Sequence, residues 1–221
     1  MQHKLIGDHY PVLECTLNDG ESMVCEAGAM VWMTENLTME SKGGGIGGMF
    51  KKMLSGESLF QNIYTANGTA KIAFGGGFAG TILPFNLDGT RTLIMQKGTF
   101  LASESTITLE IAFQKKLKSA FFGGDGFIMQ SVSGSGWVFF EADGDIHEVD
   151  LAEGEVLIVD TNNLVGYESS VTMDVVTVSG LKNKLAGGEG LFNNKLTGPG
   201  KVWLQTMSVR ALIASMLPVS R

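Results

Sequence analysis

Asp19-Gly20, Asp88-Gly89 and Asp143-Gly144 each separate two short runs of alternating apolar residues. An Asp-Gly pair in that setting is a strong hairpin signal. The tight turn needs φ > 0 at both central residues, and glycine takes that conformation without a steric penalty. The segments are VLECTL and SMVCE around the first pair, ILPFNL and TLIMQ around the second, and VFFEA and IHEVDL around the third. Each second strand leads to another glycine, Gly28, Gly98 or Gly154, and then to a core-like pair: Met30-Val31, Phe100-Leu101 or Val156-Leu157. A chain that uses hairpin chemistry this often is committed to strands. Glycine, 30 of 221 residues, is about twice its usual share, while proline is only 4. These features predict an all-β fold with many turns.

A second pattern accompanies the first. Gly56-Glu57-Ser58-Leu59-Phe60, Gly124-Asp125-Gly126-Phe127-Ile128 and Gly188-Glu189-Gly190-Leu191-Phe192 all read glycine, acid, small residue, two apolar residues. A further glycine, Gly68, Gly134 or Gly198, follows each and predicts a second turn. The period is about 65 residues, longer than a solenoid repeat. A phosphate-cradling loop is needed once, before one helix, whereas a turn needed by every copy of a β-unit recurs at a fixed place. Gly20, Gly89, Gly144, Gly56, Gly124 and Gly188 are therefore read as structural turns. The chain divides into three β-units, approximately 1–78, 79–137 and 138–221, which share apolar faces in one body. One helix is expected near the C-terminus. Val209, Leu212, Ile213 and Met216 fall at i, i+3, i+4 and i+7, with Ser208 at the start and Pro218 as a stop.

Composition narrows function more by exclusion than by assignment. The net charge of −7 opposes nucleic-acid binding, which needs a basic surplus to neutralise phosphates. No apolar run approaches the length that spans a bilayer, and the first residues carry no signal-peptide pattern, so a cytoplasmic protein is expected. Cys15 and Cys25 are too few for a disulfide scaffold; Cys15 reads as core, and a bridge between the two is an open alternative. His3, His9 and His147 form no metal-ligand spacing, and His147, in phase with Val149 and Leu151, is expected to face partly inward. There is no GxSxG elbow, and no cofactor is expected. An enzyme is disfavoured, though a triad assembled in space is not excluded by spacing.

Two weaker candidates remain. Glu57, Asp125 and Glu189 would bind a hard cation if unit symmetry brought them together; otherwise each accepts backbone N–H groups in its own turn. Lys51 and Lys52 beside Met49 and Phe50 could touch an anionic membrane surface; otherwise they are solvated side chains near a short turn.

The stretches EAGAMVWM at 26–33, GESLFQNIYTA at 56–66 and GEGLFNNKLTGPGKVWLQTMS at 188–208 resemble an uncharacterised bacterial family related to the mitochondrial altered-inheritance protein 24 group. The resemblance implies a β-sandwich like that of the tryptophan RNA-binding attenuation protein, three such units per chain, and homotrimeric rings. It carries no catalytic residues. The expected function is a non-enzymatic, ring-forming scaffold or interaction protein. A small-ligand or cation-binding module, a peripheral membrane protein and an unrecognised enzyme are the alternatives.

Overall fold

The computed structural model describes residues 1–42, 61–115, 127–177 and 192–216. In chain order its strands are β1 (Gln2–Ile6), β2 (Val12–Leu17), β3 (Ser22–Glu26), β4 (Met30–Met33), β5 (Leu37–Lys42) and β6 (Gln61–Ala66). Then come β7 (Ala70–Gly75), β8 (Gly80–Asp88), β9 (Leu93–Gln96), β10 (Phe100–Glu104), β11 (Ile107–Lys115) and β12 (Phe127–Asp143). The last are β13 (Ile146–Leu151), β14 (Val156–Asp160), β15 (Leu164–Glu168), β16 (Thr172–Thr177), β17 (Phe192–Thr197) and β18 (Gly200–Gln205), followed by helix α1 (Val209–Met216). The fold is an all-β sandwich, as the turn chemistry predicts.

Two compact units are present. The first comprises Met1–Arg91, Gly98–Leu109 and Ser133–Glu141. It holds the strand orders β1-β2-β7-β4 and β5-β6-β3-β10-β12. Burial alternates strictly along β2, so Leu13, Cys15 and Leu17 point into a core with Met23, Tyr64, Ile72 and Phe74. The second unit comprises Thr92–Lys97, Glu110–Val132 and Ala142–Arg221, with the orders β13-β18-β15-β9-β12 and β14-β17-β16. Its core gathers Phe127, Met129, Leu164, Tyr167, Leu196 and Val202.

The same irregularity occurs in three strands. Two residues of β4 oppose one step of β7 between Met30 and Trp32; β10 does the same against β12 between Phe100 and Ala102, and β15 against β18 between Leu164 and Gly166. Each is a β-bulge, with Val31, Leu101 or Val165 as the extra residue. Just beyond each bulge a side-chain oxygen accepts a main-chain N–H of the neighbouring strand. Thr34 Oγ1 accepts from Lys71 at 3.1 Å, Glu104 Oε2 from Trp137 at 2.7 Å, and Glu168 Oε2 from Lys201 at 3.0 Å.

Gly20, Gly89 and Gly144 all sit in turns at positive φ (77, 89 and 71°). Their equivalence is another matter. At the first turn Glu21 N–H donates to Asn18 O and Gly20 N–H to Ala66 O, while Glu21 Oε2 accepts from Asn18 N–H at 2.8 Å. That network recurs at Gly154. There Glu155 N–H donates to Ala152 O and Gly154 N–H to Gly198 O, while Glu155 Oε2 accepts from Ala152 N–H at 2.8 Å. The hydrogen bonding of the Gly20 turn is thus shared by the Gly154 turn. The turn expected at Gly134 is absent: Gly134 lies inside β12. Gly56, Gly124 and Gly188 lie outside the described residues.

Helix α1 spans the expected residues, but its start is held by Asp143, whose Oδ2 accepts the Val209 N–H at 2.8 Å. Val209 and Leu212 are half-buried whereas Ile213 and Met216 are exposed, so only the first turn of the apolar stripe is covered. His147 is also exposed: the inward side of β13 fades from buried Leu151 through half-buried Val149 to the strand's open end.

Cys15 and Cys25 are buried free thiols, so the bridge left open by sequence is not formed. Burial pushes both thiols up to about 12. A buried neutral thiol resists ionisation that the unfolded chain undergoes near pH 9, so its contribution to stability is intact below that pH and lost as pH rises toward 12. We therefore expect the native protein to be silent to Ellman's reagent. We also expect its urea midpoint to be lower at pH ~10.5 than at pH ~8. Rapid labelling of either thiol in the native state would contradict the burial.

Candidate functional site

Met49, Phe50, Lys51 and Lys52 lie outside the described residues, as do Glu57, Asp125 and Glu189. Among the described residues no group of three or more His, Cys, Asp or Glu side chains is placed to hold a metal ion. No helix among them is long and apolar enough to cross a membrane. The candidate site is instead apolar, and it lies on two sheet edges.

The bulged strands differ in their neighbours. Among the described strands, β10 is flanked by β12 and β3, and β15 by β18 and β9, whereas β4 has β7 on one side and no strand on the other. The strands that receive them differ in the same way. Among the described strands, β3 lies between β6 and β10, and β9 between β12 and β15, whereas β14 has β17 on one side and no strand on the other. Side-chain exposure follows the missing neighbour. The extra residue of the bulge is 1% exposed in β10 (Leu101) and 0% in β15 (Val165), but 51% in β4 (Val31). Two residues on, Ser103 and Tyr167 are 2% and 6% exposed, but Met33 is 40%. On the receiving strands Val24 of β3 is 6% exposed, but Ile158 of β14 is 52% and Val156 is 47%.

Sequence reading places Met30-Val31 and Val156-Leu157 in the core beside Phe100-Leu101. Only the last pair is fully buried; Val31 and Val156 are exposed. An apolar strand gives the same residue pattern whether its flank is covered by the chain or left open, so local sequence could not find this site. The signal that could have found it is the absence of charge and proline before the last residue of each strand.

A row of side chains crosses each bulge. In the first unit Glu14, Ala73 and Trp32 stand opposite one another on β2, β7 and β4. In the second, Glu148, Trp203 and Gly166 do so on β13, β18 and β15. One indole fills each row, on the outer strand in the first and on the central strand in the second. Trp203 Nε1 donates to Glu148 Oε1 at 3.1 Å. Glu14 is held below its usual carboxylate range, chiefly by a hydrogen bond from Lys4 at 3.1 Å and in smaller part by Lys71 and by a hydrogen bond from Trp32. At the third bulge, Phe139 opposes Ala102. Where the central strand carries a ring, the bulged strand carries alanine or glycine, so the rows conserve volume.

A family model described as mitochondrial biogenesis AIM24 matches residues 3–207, from β1 to just short of α1. The chain belongs to the AIM24 family. The matched span contains β4, β14 and all three bulges of this AIM24 chain. An uncharacterized protein of Streptococcus pyogenes serotype M6, M6_Spy0233, is 26% identical over 96% of this chain and 88% of its own length. The crystal structure of protein SPYM3_0169 from Streptococcus pyogenes superposes with a TM-score of 0.83, covering 97% of both chains at 24% identity. That likeness establishes the fold.

Proposed function

We propose that this AIM24 chain is a non-enzymatic scaffold that assembles with copies of itself into a closed ring. The observation that carries the reading is strand addition between bulged and receiving strands, which occurs once in each unit. β10 adds antiparallel to β3 in the first, and β15 adds antiparallel to β9 in the second. The chain is thereby read as three modules in series, β2–β7, β8–β12 and β13–β18. The recurring bulges, the recurring acceptors Thr34, Glu104 and Glu168, and the matching Gly20 and Gly154 turns support this division. It moves the start of the third module from residue 138 to β13. In this reading long β12 supplies two strands of the middle module in one piece. A protein that joins its own modules by strand addition has the means to join further copies in the same way.

The ring size of three chains is what the family resemblance implies. Sedimentation velocity tests it. The expected species is roughly three times the 23.6 kDa chain mass and persists on dilution. Because the exposed side chains are apolar, it should also persist in ~1 M NaCl, where charge-driven contacts are screened. A single species at the chain mass across a wide concentration range would overturn the scaffold reading.

A further inference from the structure

We propose that β4 of one copy pairs antiparallel with β14 of the next, with Trp32 opposite Val159, Met33 opposite Ile158 and Thr34 opposite Leu157. The inference rests on the scaffold reading and names the joint.

The register comes from the two additions present within the chain. In the first unit Ala102 stands opposite Cys25, Ser103 opposite Val24 and Glu104 opposite Met23. In the second, Gly166 stands opposite Met95, Tyr167 opposite Ile94 and Glu168 opposite Leu93. The bulges align Trp32 with Ala102 and Gly166. The other side of each receiving strand aligns Val159 with Cys25 and Met95, because all three oppose an amide side chain: Asn62 for Cys25, Gln130 for Met95 and Asn194 for Val159. Applying the common register to β4 and β14, which lack that neighbour among the described strands, gives the pairs above.

The lack of both charge and proline before the last residue distinguishes these two edges from the rest. Natural edge strands are usually blunted by charged side chains, which discourage pairing with another chain. Among the described strands, β1 ends its sheet with Lys4, β5 with Glu40, β13 with Glu148 and Asp150, and β16 with Asp174, while β11 and β8, each paired only with β12, carry Glu110 and Pro84. β4 reads MVWM, without a charge, and β14 reads VLIVD, with one acid at its last residue. That acid is turned into its own loop, where Asp160 Oδ1 accepts the Asn162 N–H at 2.7 Å. Among the described strands, these two unblunted edges are also the two that lack the neighbour their counterparts have. β4 and β14 are different surfaces, so the contact is head-to-tail and adds one joint per chain.

The test is a charge exchange at the Met33–Ile158 pair, read by sedimentation velocity. Met33→Lys alone and Ile158→Glu alone should each shift the protein to the single-chain species, with association weakened at least about tenfold. Both positions are exposed in the chain, so circular dichroism should be unchanged. Both substitutions in one chain place lysine opposite glutamate at every joint and should restore the assembly. A second variant, Met33→Cys with Ile158→Cys, should on oxidation yield covalent multiples of the 23.6 kDa chain that reduction dissolves. An oligomer that survives both single substitutions and gives no covalent multiples overturns the β4–β14 joint and leaves the scaffold reading standing. A disulfide closing within one chain likewise overturns the joint. A monomeric wild-type protein overturns the scaffold reading itself.

Discussion

Gly134→Ala is expected to cost about 3 kcal/mol or more, lowering the melting temperature of this chain by roughly 10 °C. Gly134 sits inside β12 at φ +115°, a backbone conformation that L side chains rarely adopt. A Cβ built there would lie 2.3 Å from Thr106 O and 3.2 Å from Ile107 Cα. Both neighbours are backbone, so no side-chain rotation relieves the overlap, and the main chain at Thr106 must move. Gly20→Ala is the control. It shares the positive φ, at +77°, but nothing lies within 4 Å of its Cβ. Conformational strain alone then sets its cost, about 1 kcal/mol. Thermal unfolding of the two variants in parallel separates strain from collision. Equal losses would mean that the close approach of β12 to Thr106 does not exist.

Gly134 also marks the limit of what the sequence discloses. A glycine about ten residues beyond a Gly-acid motif reads the same whether the chain turns there or runs straight. At Gly68 it turns, and at Gly134 two glycines with positive φ keep one long strand in register instead. Asp-Gly pairs disclose that a turn occurs, since the demand for φ > 0 is local. They do not disclose which strands the turn joins, which depends on pairing with β6 or β17 far along the chain. The Gly20 network therefore recurs at Ala152-Glu153-Gly154-Glu155, which lacks Asp-Gly but keeps the glutamate that reaches back. The candidate site was hidden for a related reason. Whether MVWM and VLIVD are buried depends on a flanking strand, not on their own residues. What was legible is the missing blunting residue: among the described strands, every other strand that ends a sheet carries Lys, Asp or Glu before its last residue or, in β8, Pro84.

Trp203→Ala is expected to cost about 3–5 kcal/mol, whereas Trp32→Ala should cost less than about 1.5 kcal/mol in the dissociated chain. The two indoles occupy matching rows and serve matching glutamates, but the strand that carries each differs. Trp203 lies on central strand β18, between β13 and β15, and is 1% exposed. Removing it leaves a cavity that its row cannot refill: a Cβ at Gly166 would already meet Ile94 O at 2.7 Å and Met95 Sδ at 2.3 Å. The Glu148 carboxylate also loses its indole donor, which Trp203→Phe isolates at a smaller cost. Trp32 lies on edge strand β4 and is 42% exposed, so its loss removes less buried area and opens a site that water already reaches. Urea unfolding with unchanged m-values measures both. If assembly covers β4, the Trp32 cost should rise with protein concentration while the Trp203 cost stays fixed, because only the first indole gains burial from a second chain. Costs that are equal, and equally independent of concentration, would mean that both rows are closed within the single chain.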